Sequence, residues 1–126
     1  MKAWLTSIFL LAAILAGSAL NCRVMERDVS RWQSQLEQAE SAAAAENWSG
    51  ARSALSQSYE DWFARQTRLH ITAEHSVVDG ADAMYRRAAA FAAAEEPSEF
   101  QAELAGLKHQ LRLLAEMEQF SVKNVL

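Results

Sequence analysis

Cysteine, proline and glycine are scarce in these 126 residues, at one, one and four. A single Cys excludes an internal disulfide, so packing alone must hold the fold. β-Branched residues are few as well. Val, Ile and Thr together supply 12 positions against 25 for alanine, a balance that excludes a sheet protein and favours helices. No Ser sits in a glycine-flanked elbow, and Gly50, Gly80 and Gly106 stand alone rather than in a phosphate-cradling loop. Without these constellations the chain is expected not to be an enzyme, and no catalytic or cofactor-binding residue is assigned. The length leaves room for one domain.

Charge is absent from one stretch only. Lys2 is followed by an uncharged run from Ala3 to Leu20, rich in Leu, Ile, Phe and Ala, and polar character returns with Asn21 and Arg23. At about 1.5 Å per residue these roughly 18 residues reach about 27 Å, close to the hydrocarbon thickness of a bilayer. Residues 1–22 are therefore read as a transmembrane anchor and residues 23–126 as a helical domain. A cleaved signal peptide, with Gly17, Ser18 and Ala19 near its end, is the alternative, and implies a secreted protein. Trp4 suits a membrane-interface anchor. Cys22 does not match a lipoprotein site, because Asn21 precedes it and Ala19 stands three positions back; it reads as a free thiol near the headgroups. For orientation, Lys2 lies before the run and Arg23, Arg27 and Arg31 after it, two of them interleaved with Glu26 and Asp28. Those arginines argue for a cytoplasmic domain, but a very short N-terminal tail before a signal-like segment commonly stays inside, so the domain is expected on the outer side of the membrane, as a single-pass protein.

Four amphipathic stripes follow the run. Met25, Val29, Trp32, Leu36, Ala39 and Ala43 advance by alternating fours and threes, the spacing of one helix face. A break at Glu46 to Gly50 offers Asn47 or Ser49 as the next cap. Leu55, Tyr59, Trp62, Gln66 and Leu69 form the second stripe, with Trp48, Ala51 and Phe63 beside it. The pattern lapses around Thr72 to Gly80, where Ser76 or Asp79 is the expected cap. Val77, Ala81, Met84, Ala88 and Phe91 form the third stripe. Glu95, Glu96 and Pro97 mark a further break and a helix start, before Phe100, Leu104, Leu107, Leu111 and Leu114. The predicted fold is all-α: one membrane helix leading into a small antiparallel bundle of about four helices. If the first stripe continues the apolar run, Ala3 to Glu46 forms a rod of about 65 Å.

Candidate chemistry is thin. His70, Glu74 and His75 are the best metal-ligand set, but their spacing matches neither zincin arrangement and His109 is remote in sequence, so no metal ligand is assigned. Trp32, Trp48, Trp62, Tyr59 and Phe63 suit core packing better than a ligand cage. From Val24 to Leu126 there are 10 basic and 16 acidic residues, which disfavours nucleic acid or an anionic lipid surface as a partner. Arg86 and Arg87 make a pair, not a patch.

The segment from Leu107-Lys108 through Leu111, then Glu116, Glu118 and Ser121-Val122-Lys123-Asn124-Val125-Leu126, resembles the end of a bacterial family known as domain of unknown function 4363. The likeness extends to the Asn47-Trp48 turn, the Trp62 position and His75-Ser76, and so to nearly the whole chain. Leu113 and Ala115 depart from it, standing where relatives carry His and Pro. The resemblance implies a membrane-anchored helical protein facing outward and lends no activity. The expected function is a non-catalytic structural or interaction module that reaches the membrane through residues 3–20 and binds another membrane or envelope protein. A small-ligand or metal-binding envelope module is the alternative. The apolar ending, Phe120 to Leu126, is expected to pack back on the bundle, since an exposed apolar tail is unfavourable in water.

Overall fold

In the computed structural model, which describes residues 2–68 and 75–125, four helices follow one another without strands among the described residues: α1 (Lys2–Ala44), α2 (Trp48–Arg68), α3 (His75–Ala93) and α4 (Pro97–Val125). The 43 residues of α1 form one unbroken rod of about 65 Å, so the apolar run and the first stripe are two parts of a single helix. The two parts meet different surroundings. No side chain of the apolar stretch is buried, whereas all six members of the first stripe, from Met25 to Ala43, are. The helix is thus long and apolar enough to cross a membrane in its first half and is built for a protein core in its second.

Each helix packs on two neighbours, giving a ring in the order α1, α2, α3, α4; the α2–α3 seam is the least extensive of the four. Two hairpins, α1/α2 and α3/α4, are closed by the same device. The Glu46 and Asn47 amides donate to the Ala43 and Ala42 carbonyls at 3.0 and 2.8 Å, and Glu95 and Glu96 do the same toward Ala92 and Phe91 at 3.1 and 3.0 Å. These paired bonds satisfy the last carbonyls of α1 and α3. They require a left-handed residue, and Glu46 (φ 61°) and Glu95 (φ 54°) take that place in the absence of glycine. Asn47 then caps α2, its Oδ1 accepting from the Gly50 amide at 3.0 Å, and Pro97 opens α4, where its missing N–H removes no bond.

The first and fourth stripes are buried as read, apart from Leu114, which is half-buried while Ala115 is covered. The middle two are turned by one position. On α2 the covered row is Ala51, Leu55, Ser58 and Trp62; Tyr59 and Gln66 are half-buried, and Leu69 lies outside the described residues. On α3 the row is Ala81, Tyr85, Ala88 and Ala92, with Met84 and Phe91 at its margin. Neither Ser76 nor Asp79 caps α3: the helix already begins at His75 and both lie in its first turns. Ser and Asp are at home in a first turn as well as at a cap, and that overlap moved the expected start.

Candidate docking groove

The α2–α3 seam opens into a groove with a cavity volume of about 380 Å³, lined by Arg52, Leu55, Ser56 and Tyr59 of α2 and by Tyr85, Arg86 and Ala89 of α3. Ala89 is the smallest of the α3 residues at its rim, beside Tyr85 and Arg86. Beneath the groove lies a fixed polar pair. The Ser58 hydroxyl donates to the Trp32 carbonyl at 3.3 Å and lies 2.9 Å from the Tyr85 hydroxyl, which completes a chain from α3 through α2 to α1. Desolvation pushes the Tyr85 phenol well above its ordinary value, so it stays neutral, and Ser58 is fully buried.

Tyr59 forms one wall. Its hydroxyl donates to Asp82 Oδ1 at 2.8 Å, and this bond, with burial second, raises its pKa. The same carboxylate holds Arg86, whose Nε lies 2.9 Å from Asp82 Oδ2. Aromatic rings continue the wall: Tyr59 meets Tyr85 edge-on at 5.3 Å and stacks on Phe63 at 5.8 Å, and Phe63 is 54% exposed. Arg52 on the opposite rim is exposed and has no carboxylate partner among the described residues. The groove therefore offers an apolar floor, an aromatic wall and the unpaired guanidinium of Arg52. It suits a segment that combines an apolar side chain with a carboxylate. No nucleophile and base pair lines it.

The residues singled out in the sequence fall into three groups. Trp32 and Trp62 are core residues, and Trp48 packs edge-on against Phe100 at 5.6 Å, so the aromatic set is not a cage; Phe63 alone stays out of the core. Arg86 and Arg87 part company, the latter reaching Glu103 at 2.7 Å. His70 and Glu74 lie outside the described residues, as does the His75 side chain, and no cluster of three potential metal ligands occurs among the described residues. The side chains of the Phe120 to Leu126 ending lie outside them too. Ser58, Tyr85 and Arg52 were not anticipated. Ser58 occupies a stripe position one turn after Leu55 and one before Trp62, and that spacing was the available signal.

A second polar cluster joins α1 to α2. Arg65 Nε lies 3.1 Å from Asp28 Oδ2, Arg31 bridges Asp28 and Asp61 at 3.4 and 3.5 Å, and Gln35 donates to Asp61 at 2.8 Å. Two guanidinium groups meet two carboxylates, so the charges cancel within the seam and leave no site. The family described as domain of unknown function (DUF4363) matches residues 20–125. No curated protein and no solved structure matches the chain.

Proposed function

The chain belongs to the family described as domain of unknown function (DUF4363), and from that premise we propose that it is a membrane-anchored, non-catalytic interaction module. Residues 3–20 of α1 hold it in a bacterial cell membrane as a single pass, and the bundle stands on the outer side. The α2–α3 groove receives another membrane or envelope protein through a segment bearing a carboxylate for Arg52 and an apolar side chain for the floor. The observation that carries the reading is the division of α1: an apolar stretch exposed on every face, continued without a break by a helix whose stripe is fully used in the core. A helix so divided ties a folded module to a bilayer at a fixed distance.

The test is site-directed photocrosslinking in intact cells. A photoreactive side chain at Ser56 or Ala89, in the groove, is expected to give one discrete crosslinked species, and the same probe at exposed Gln101 on α4 is expected to give none. Equal labelling at all three positions, or none in the groove, overturns the docking assignment.

A further inference from the structure

Most basic side chains of the bundle are spoken for. Arg31 and Arg65 share Asp28, Arg86 and Arg87 hold Asp82 and Glu103, and Lys108 reaches Glu40 at 3.0 Å. Arg23 and Arg27, like Arg52 and Arg112, are exposed with no carboxylate partner among the described residues, but these two stand beside the apolar run. They stand four residues apart, one turn along the same face of α1, with Ser30 in the next turn, and these three with Glu26 line a shallow open cleft. Glu26 is engaged in an interaction of its own.

Height along α1 gives the pair its meaning. The uncharged run ends at Leu20, so Arg23 and Arg27 lie about 4.5 and 10 Å farther along the axis. A bilayer's polar layer occupies roughly the first 6 Å beyond the hydrocarbon on each side. Side chains on a helix lean toward its N-terminus, here toward the apolar stretch, and an arginine stem is long enough to carry its guanidinium back by several ångströms. Both groups therefore have access to the phosphate layer.

We propose that Arg23 and Arg27, with the Ser30 hydroxyl, bind the phosphate of an anionic phospholipid headgroup. The assignment rests on the reading of α1 as a membrane span. Two guanidinium groups on one phosphate match a headgroup with net negative charge, since a zwitterionic headgroup brings its own cation to the same place. The predominantly acidic bundle makes this pair the local exception, which gives the contact a fixed position at the base of the module.

The full chain, reconstituted in nanodiscs of equal parts phosphatidylcholine and phosphatidylglycerol and re-extracted in a nonionic detergent, is expected to retain phosphatidylglycerol with a several-fold preference. Arg23→Gln/Arg27→Gln abolishes that preference at unchanged helicity, Arg23→Lys/Arg27→Lys restores part of it, and Arg112→Gln leaves it intact. Equal retention of the two lipids by the native chain, or an undiminished preference in the double glutamine variant, overturns the proposal. Failure of the span itself shows earlier and differently, as release of the protein from membranes by an alkaline wash before any lipid is counted.

Discussion

Ser58 is the polar member of its buried row and the one with the most consequence. Its hydroxyl is fully buried between the Trp32 carbonyl and the Tyr85 phenol. The two partners predict different costs. Tyr85→Phe removes one hydrogen bond and leaves Ser58 still bonded to Trp32, a loss of about 1 kcal/mol, whereas Ser58→Ala strands the Tyr85 hydroxyl in the core and costs about 1–3 kcal/mol. Denaturant unfolding of both variants checks the order, and an equal or smaller loss for Ser58→Ala contradicts it. Tyrosine also sets the alkaline limit. Burial of Tyr85, and the Asp82 bond and burial of Tyr59, raise both phenols above their ordinary value of about 10, so the folded chain holds these protons more tightly than the unfolded one. Their contribution is complete below about pH 10 and is lost as pH rises through the folded values. Stability is thus expected to fall above about pH 10, less steeply in Tyr85→Phe; thermal melts across that range measure the difference.

At the scale of the element, each hairpin turn combines an unfavourable residue with a favourable one. Glu46 and Glu95 occupy left-handed positions that glycine takes without a steric cost. Glu46→Gly and Glu95→Gly are therefore expected to stabilise the chain by about 0.5–1 kcal/mol each. Gly50 behaves oppositely. Alanine there gains helix propensity, but its Cβ would stand 2.6 Å from Asn47 Nδ2 and push the cap off the Gly50 amide, so little or no gain is expected. Melting temperatures of the three variants distinguish the cases. These turns also mark how far the sequence is legible. The breaks at Glu46 and Glu95 and the stripes of α1 and α4 are readable because each is a run of Leu, Phe, Trp or Ala at strict helical spacing. On α2 and α3 the covered rows include Ser58, Tyr85 and Ala92 in places where the neighbouring Tyr59, Met84 and Phe91 are larger or more apolar. Pairing governed the choice: the Tyr85 and Ser58 hydroxyls meet across the seam at 2.9 Å, while Met84 and Phe91 stay at the margin of the core. The groove was illegible for the same reason, since a hollow between two helices is a property of pairs of faces and no single stripe records it.

For the whole molecule, the decisive feature is that the bundle core and the stretch apolar enough to cross a membrane draw on different residues of one helix. Trp4, Phe9, Leu20 and the other large side chains of the apolar stretch are exposed, at 57, 75 and 64% for these three, and the first buried side chain of α1 is Met25. Removing residues 1–22 therefore takes no apolar surface out of the core. It does remove about 33 Å of helix, an apolar surface far larger than a soluble monomer tolerates. The part that remains, from Arg23 onward, carries 11 basic and 16 acidic residues, enough net charge to keep copies apart in water. Two outcomes follow together. Residues 23–126 are expected to be soluble without detergent, predominantly helical and to unfold in one cooperative transition, while the full chain requires detergent or a bilayer to stay dispersed. Circular dichroism and size-exclusion chromatography of both forms measure this. If the shortened chain aggregates or loses its cooperative transition, the N-terminal stretch contributes to the fold itself. If instead it melts where the detergent-solubilised full chain does, the bundle is complete from Arg23, and the first half of α1 serves only to place it.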